Sequence, residues 1–160
     1  MAFLPSLRRY AQLAASAMLA FSILLAPVGL TGAASAQAIA ANLSPAPETA
    51  RAYLIEPSDG QTVPKEFAVK FGLVGMGIAP AGIDKAGTGH HHLLIDLDVD
   101  PDFTEPLPAT ANIKHFGGGQ TETMLNLPPG EHTLQLLLGN YSHIPHDHPV
   151  LSDKIEITVE

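Results

Sequence analysis

Apolar residues recur at every second position in a series of short runs along the chain, a period typical of β-strands. In the clearest run, large apolar residues from Phe67 to Leu73 share one face and polar residues share the other, which predicts one buried and one solvated face. Similar runs occupy residues 52–55, 91–97, 123–127, 132–138 and 155–159, and a shorter one ends at residues 115–116. The sequence therefore predicts an all-β fold, an antiparallel β-sandwich of immunoglobulin-like or cupredoxin-like type with six to seven strands.

The segments between these runs are rich in glycine and proline, which favour turns and loops. Residues 76–89 and 140–149 are predicted loops, and the proline pair and glycine at 128–130 predict a hairpin-like turn. Residues 99–111 carry several acidic residues and three prolines. They lack the glycine and terminal glutamate spacing of a known calcium loop, so a solvated acidic loop is the better interpretation.

The first 36 residues have the organisation of a secretory signal peptide. Arg8 and Arg9 precede an uncharged, apolar stretch, and residues 34–36 (Ala-Ser-Ala) form a small-x-small cleavage site. Proline and glycines within the stretch disfavour the alternative of a retained membrane anchor. We predict cleavage after Ala36 by an export route left open between Sec and twin-arginine, then a flexible linker at residues 37–50 and a histidine-rich β-sandwich domain at 51–160.

Charge and composition narrow the classes of partner. The formal charge of −8 becomes −10 once the two arginines of the signal peptide are removed. Such a surface repels nucleic acid and anionic lipid, so neither is an expected partner and no membrane insertion is expected after cleavage. The chain has no cysteine, so its fold uses no disulfide and its chemistry no thiolate. The predicted location is the periplasm or the exterior of the cell.

Seven of the eight histidines fall into three groups, and these are His90, His91 and His92, then His115, then His143, His146 and His148. The groups lie at strand ends or in a loop, and because a sandwich gathers both at its rims, the groups are able to meet. His90 and His92 point to one strand face at a spacing of roughly 6 to 7 Å. Imidazole nitrogen without sulfur suits Cu(II), Zn(II) or Ni(II).

Other kinds of site fit the sequence less well. Without cysteine there is no blue-copper site, and only Met76 and Met124 remain after cleavage, too few for a methionine-rich Cu(I) carrier. The glycines at 117–119 precede no helix and no P-loop lysine, so they indicate a tight turn instead. Ser142 and His143 are adjacent but lack a nucleophile elbow. Enzymatic activity stays open and is not favoured.

A structural role is the alternative for some of these side chains. His132 shares parity with the core leucines 134, 136 and 138, which favours a hydrogen-bonded rim histidine. His91 shares a face with core leucines too, and is as well explained by a structural role as by ligation. Gln120 and Glu122 are candidates to orient a histidine ligand through a hydrogen bond to its second ring nitrogen.

Four blocks of the sequence, GHHHLLID, HFGGGQTET, PPGEHTLQLLLGN and HIPHDHPV, resemble a bacterial exported family, the domain of unknown function 4399. The resemblance covers roughly Arg51 to Glu160 and implies no established activity. Its motif implies a shared set of positions, namely His90, His91, His92, His115, Gln120, Glu122, His132, His143 and His146. The family's last block has two prolines after the aspartate, and His148 stands at the first of those places, which argues against His148 as a ligand.

The sequence thus predicts an exported β-sandwich that binds a divalent transition metal, copper or zinc, for buffering, delivery or sensing. The predicted ligands are His90, His92, His115, His143 and His146, with His91, His132, Gln120 and Glu122 in supporting or structural roles. No catalytic residue is predicted. The alternative is a non-catalytic module of the cell envelope, with an envelope protein as partner, whose histidines form a hydrogen-bonded network at the rim.

Overall fold

The structure, a computed structural model, describes residues 43–160. The predicted signal peptide and the first residues of the predicted linker lie outside the described part. Nine strands follow one another: β1 (Arg51–Glu56), β2 (Gln61–Val63), β3 (Glu66–Val74), β4 (Gly77–Ile78), β5 (Thr88–Ile95), β6 (Ile113–His115), β7 (Glu122–Asn126), β8 (Gly130–Gly139) and β9 (Ile155–Val159). No helix occurs within residues 43–160, so the prediction of an all-β sandwich is confirmed. The strands exceed six to seven because two short strands, β2 with three residues and β4 with two, were not predicted.

The strands form two sheets. One has three antiparallel strands in the order β1-β3-β7. The other has six strands in the order β2-β9-β8-β5-β4, with β6 also paired to β5. In this larger sheet the pairs β2–β9 and β4–β5 are parallel and the rest antiparallel. Strand β5 therefore pairs with β8 along one edge and with both β4 and β6 along the other, which makes it the centre of the site described below.

The main core lies between the two sheets, as the alternating pattern predicts. Phe67, Val69 and Phe71 of β3 are buried there against leucines and isoleucines of the larger sheet. The outer face of β5 and β8 is buried as well, because residues 97–112 fold over it. Leu107 of that segment packs with Leu94 and Leu137 in a second apolar cluster. The predicted solvated acidic loop is thus apolar on its inner side, and this cover makes β5 buried on both faces.

The chain crosses between the sheets at residues 127–129. Strand β7 pairs with β3, whereas β8 pairs with β5 and β9, so the two strands that flank this turn lie in different sheets. The predicted hairpin is therefore wrong at this point, and the turn is a crossover. Its two prolines cannot donate a ladder hydrogen bond, which suits a segment that leaves one sheet for the other.

Residues 43–50, the described part of the predicted linker, lie against the loop that follows β8. The amide of Asp147 donates to the carbonyl oxygen of Ser44 at 3.0 Å, and the amide of Ala46 donates to the Asp147 carboxylate at 2.9 Å. Ala50 is buried in a third apolar cluster with Leu138 and Val150. Among the described residues, no helix is long and apolar enough to cross a membrane.

Candidate metal centre

The pairing of β5 with β6 brings the first two histidine groups together. His92 and His115 are direct cross-strand partners in this antiparallel pair. Side chains opposite each other in such a pair project to the same side with Cβ atoms about 4.5–5.5 Å apart. His90 precedes His92 by two residues and so projects to that side too. The register of one short strand therefore places three imidazoles on one face of the sheet.

His143 adds a fourth imidazole from the loop after β8. The ring centroids of His143 and His115 are 4.6 Å apart, and those of His143 and His90 are 5.0 Å apart. The distances among His90, His92 and His115 are 4.8, 4.9 and 5.1 Å. His92 and His143 are 6.0 Å apart. Four imidazole rings from distant parts of the sequence thus form one cluster. We call it the histidine cluster, and its members are His90, His92, His115 and His143.

The inner members of the histidine cluster make no hydrogen bonds. His90 and His92 are fully buried, and neither of the two ring nitrogens of either residue has a hydrogen-bond partner within residues 43–160. A buried polar atom left unpaired costs about 1–3 kcal/mol. Such a cost is uncommon in a native fold, so these nitrogens are candidate ligand atoms.

Two glycines make room for the rings. A Cβ atom at Gly139, which pairs with His90 across β5 and β8, would lie 2.6 Å from Cε1 of His92. A Cβ atom at Gly117 would meet the imidazole of His115. Neither glycine needs a left-handed backbone, so the reason for glycine at both places is space for a histidine ring.

A turn built around Asn140 holds His143 in place. The buried Asn140 side-chain oxygen accepts hydrogen bonds from the amides of Ser142 and Ile144 at 2.8 and 3.1 Å, and its Nδ2 donates to Ser44 at 3.0 Å. His143 itself has φ of 68°, the left-handed region that non-glycine residues seldom adopt. The carbonyl oxygen of His143 accepts from the amide of Leu107 at 3.0 Å, which ties the loop to the covering segment 97–112.

Burial and crowding keep the imidazoles of His90, His92 and His115 neutral. Burial, together with the neighbouring histidines, lowers the pKa of His90 to about 4 and the pKa of His92 to about 3. The pKa of His115 is lowered by burial and by His143. A neutral imidazole has a free lone pair, which is the form that binds a metal ion. These three side chains are therefore in the ligand form at neutral pH.

Three members of the cluster have ligand atoms close enough to share an ion. One ring nitrogen from each of His90, His92 and His115 lies within 4.8 Å of the other two. His143 is outside this set, and its ring centroid is 6.0 Å from that of His92. Two nitrogens at about 2.0–2.1 Å from one tetrahedral zinc ion are about 3.4 Å apart, so the three rings need to close by at most roughly 1.4 Å. We call His90, His92 and His115 the histidine triad.

A cleft of about 240 Å³ opens beside the triad. His92, His115 and His143 form one side of it, and residues 106–109 (Pro-Leu-Pro-Ala) form the other. His115 is exposed and His143 half-buried, whereas His90 and His92 are buried. The cluster is thus closed on its inner side and open toward the cleft.

The remaining sequence-predicted residues lie elsewhere. His146 is buried apart from the cluster, with Nε2 3.4 Å from the carbonyl oxygen of Thr88. Gln120 accepts a hydrogen bond from the amide of Gly118, and Glu122 lies opposite Lys70 in the smaller sheet. The exposed His148 follows Asp147 in the loop. The structure therefore brings together four of the five predicted ligands and leaves His146, Gln120 and Glu122 outside the cluster.

His91 and His132 are both held in the sheet, in different ways. His91 lies in the core between the sheets, its ring 5.3 Å from that of Phe71, and burial lowers its pKa to about 4. His132 has a partner on each nitrogen, the Asp96 carboxylate at 2.7 Å and the carbonyl oxygen of Pro128 at 2.9 Å. Partial burial acts against the protonated ring, yet the two hydrogen bonds and the negative charge outweigh it and raise the pKa of His132.

Sequence reasoning missed the residues that shape the site rather than form it. Gly117, Gly139 and Asn140 are of residue types that are common at turns and close backbone contacts, so the sequence could have indicated their role. Leu107 is surrounded by prolines and acidic residues, so the sequence gives little indication that it is buried. Its burial and its hydrogen bond to His143 follow from the tertiary fold.

The sequence model of a family described as Domain of unknown function (DUF4399) matches residues 69–160, more than half of the chain. The match includes all four members of the histidine cluster. No curated protein matches the chain. A solved structure, that of the endo-beta-1,4-mannanase from Thermotoga petrophila, is similar with 22% identity and a TM-score of 0.40, over 69% of this chain and 20% of that one. The chain spans about a fifth of that protein's length, and the likeness carries no argument on function.

Proposed function

Because the chain belongs to the family described as Domain of unknown function (DUF4399), whose description names no activity, we propose a function from the site itself: the domain binds one divalent transition metal ion through His90, His92 and His115. The ion is zinc or copper, since a set of imidazole nitrogens without thiolate suits both. The protein is exported and uses the site to buffer, deliver or sense the metal.

One observation carries the proposal, the set of unpaired nitrogens at His90 and His92. Both ring nitrogens of His90 and of His92 are buried without a hydrogen-bond partner in the described chain. The buried rings of His91 and His146 also have unpaired nitrogens, but only His90 and His92 stand beside a third imidazole that offers a nitrogen within 4.8 Å. A metal ion relieves this cost for the nitrogens that coordinate it, because each of those lone pairs then has a partner. A hydrogen-bonded histidine network would instead require that the ring nitrogens of the cluster donate to and accept from one another.

Burial of the triad supports a specific site over surface adsorption. Exposed histidines bind metal ions weakly and singly, whereas here His90 and His92 are fully buried, and the rings of His92 and His115 lie against glycines. The lowered pKa values mean that few protons compete with the ion near neutral pH. These features support tight binding at a single place.

The alternative function, a non-catalytic module of the cell envelope, is favoured by a different observation. His132 makes the hydrogen bonds expected of a structural rim histidine, to Asp96 and to Pro128. That network stabilises the turn at the far end of β5 and does not include any member of the histidine cluster. It supports a structural role for His132 alone.

The proposal is tested by elemental analysis of the protein isolated from its native compartment, followed by calorimetric titration of the metal-free protein with Zn(II) and with Cu(II). We expect one ion per chain and a single binding step. The exposed His148→Ala variant is the matched control and should bind as the wild type does. Absence of metal, together with weak heats only, would contradict the proposal.

Export is tested separately by the mass of the mature protein. The amino-terminal arginine pair, apolar stretch and Ala-Ser-Ala site support removal of residues 1–36. Intact mass spectrometry of the protein from the periplasmic or extracellular fraction should give a chain that begins at Gln37. A chain that keeps its first residues, or that stays in the cytoplasm, would contradict this part of the proposal.

A further inference from the structure

The cleft beside the histidine triad is placed to receive a ligand of the proposed metal ion. We infer that the bound metal keeps one coordination position open toward this cleft, and that the position takes a small organic carboxylate whose hydrocarbon part lies against residues 106–109. The inference rests on the proposed metal site and adds the class of ligand that the site receives.

The number and placement of the histidines leave a position free. Three imidazoles each offer a nitrogen within the mutual distance needed to share an ion, whereas His143 is outside that set, with its ring 6.0 Å from that of His92. Zinc sites with three protein ligands keep a fourth position for water or substrate, whereas structural sites have four protein ligands. The two buried ligands, His90 and His92, close the inner side of the triad, so the free position faces outward along the side of the exposed His115.

The charge at the site favours an anion in that position. Three neutral imidazoles leave a divalent ion with its whole charge of two. The residues that line the cleft are histidines, prolines, leucine and alanine, and no carboxylate is among them. The pKa values of His90 and His92 are lowered by burial and by other histidines, and no carboxylate raises either of them. Since no protein carboxylate of the lining balances the ion, a carboxylate from outside is the matching donor.

The opposite wall of the cleft favours a hydrocarbon group on that anion. Pro106, Leu107, Pro108 and Ala109 form an uncharged surface, and the two prolines restrict its backbone. The hydrogen bond from the Leu107 amide to the His143 carbonyl oxygen holds this wall at a fixed place relative to the cluster. A volume of about 240 Å³ is below the range of about 300–1,000 Å³ common for drug-sized ligands, so it fits a small molecule.

His143 is placed to contact the carboxylate rather than the metal. Its ring is 4.6 Å from that of His115 and lines the same cleft. The Asn140 turn that supports it is independent of the triad, so removal of the imidazole should leave the three ligands in place. His143 is therefore a binding residue for the incoming ligand. In a closed site, by contrast, His143 would be the fourth ligand of the metal ion.

The test uses the full-length mature protein loaded with Co(II), whose visible spectrum reports the number and type of its ligands. Acetate and butyrate are the probes, and bicarbonate is the inorganic comparison. We expect each carboxylate to change the spectrum, with butyrate bound roughly tenfold more tightly than acetate because two further CH₂ groups are buried. Bicarbonate should bind no better than acetate.

Variants of the wall and of His143 sharpen the test. Ala109 is exposed, so Ala109→Phe is expected to fold and to fill the cleft, with Ala109→Ser as the size-matched control. Ala109→Phe should keep one Co(II) per chain and lose the response to butyrate. His143→Ala should keep Co(II) affinity within about threefold and weaken butyrate binding about tenfold, the effect of one charge-assisted hydrogen bond.

The outcomes separate this inference from the proposed function. Stoichiometric Co(II) with a spectrum that no carboxylate changes, or a large loss of Co(II) affinity in His143→Ala, would overturn the open position and leave metal binding intact. Equal affinities for acetate, butyrate and bicarbonate would overturn the role of the apolar wall. A wild-type protein that binds no Co(II) would overturn both the inference and the proposed function.

Discussion

The two ends of the β5–β8 ladder both carry histidines, and they use them in opposite ways. At one end His132 has a partner for each ring nitrogen, the Asp96 carboxylate and the Pro128 carbonyl oxygen. At the other end His90 and His92 have none among the described residues, although both are fully buried. The same side chain in the same sheet is thus satisfied by the fold at one end and left unsatisfied at the other.

This contrast distinguishes the hydrogen-bonded ring of His132 from the unpaired rings of His90 and His92. Partners at fixed distances indicate that the fold itself uses the His132 ring, because removal of the ring would leave Oδ2 of Asp96 and the carbonyl oxygen of Pro128 without this partner. The unpaired rings of His90 and His92 cost stability in the metal-free protein. The ring of His91 is unpaired as well, but only His90 and His92 face a third imidazole, and this supports the proposed metal site.

The largest expected effect is loss of metal binding in the double variant His90→Ala and His92→Ala. Two of the three ligands are removed, so the affinity for Zn(II) should fall at least about a thousandfold, or about 4 kcal/mol. His132→Ala changes a histidine of the same sheet that lies outside the cluster and should bind Zn(II) as the wild type does. Calorimetric titration measures both, and equal affinities in the two variants would contradict the proposed site.

A smaller loss is expected from Gly139→Ala, which changes no ligand. The new Cβ atom would lie 2.6 Å from Cε1 of His92 and must displace that ring, so Zn(II) affinity should fall roughly 10–100-fold, the range seen when support of a ligand is lost. At Gly77 a Cβ atom would make only an ordinary contact with Thr88 at 3.5 Å, and Gly77→Ala is the matched control. Wild-type affinity in Gly139→Ala would show that the position of His92 is unimportant.

The free energy of unfolding of the metal-free protein should change in opposite directions at the two ends. Replacement of His90 and His92 by leucine removes unpaired buried nitrogens and keeps apolar volume, so it should stabilise the metal-free protein by about 1–3 kcal/mol. His132→Leu leaves Asp96 and Pro128 without their partner and should destabilise it by about 1–2 kcal/mol. Urea denaturation in the presence of a chelator measures both changes. The same sign in the two variants would remove the contrast on which the account rests.

The smallest expected effect is a pH dependence that belongs to His132. Its pKa in the folded protein is raised, because the hydrogen bonds to Asp96 and Pro128 outweigh its burial. Its contribution to stability is therefore complete below the unfolded value of about 6.5 and is lost as the pH rises through the folded value. Partial solvent exposure of Asp96 keeps the effect small.

Asp96→Asn removes the charge and isolates that effect from other titrating groups. The stability advantage of the wild type over Asp96→Asn should shrink as the pH rises above the unfolded pKa of about 6.5, as measured by urea denaturation at a series of pH values. The buried histidines of the cluster titrate at lower pH in the folded protein and are common to both proteins, so they cancel in the difference. An advantage that grows with pH would contradict the assignment.

Much of the fold follows from local pattern, and the part that does not depends on distant contacts. The alternation in β3 and β9 predicts strands and their buried faces, because period two is a property of each segment alone. The alternation in β5 predicts the strand, but burial of its outer face depends on the distant segment 97–112. The crossover at residues 127–129 is different. Two alternating runs joined by a proline-glycine turn suit a hairpin equally well, and only the packing of the two sheets decides between the two arrangements.

The candidate site also depends partly on local pattern and partly on distant contacts. The placement of His90 beside His92 follows from strand spacing, but the register that brings His115 opposite His92 is set by the whole sheet. His143 and His146 are equal candidates in sequence. The Asn140 turn, tied to Ser44 almost a hundred residues away, directs His143 into the cluster, while His146 is buried elsewhere near Thr88. That choice is made by a tertiary contact that no local pattern contains.

Diffraction at an absorption edge most directly tests whether one metal ion is held by His90, His92 and His115. Crystals of the protein grown with Zn(II) are measured on both sides of the zinc edge. We expect one strong anomalous peak about 2.0–2.1 Å from a nitrogen of each of these three histidines. Full-occupancy zinc at other residues, or crystals in which the three rings enclose no anomalous peak, would contradict it.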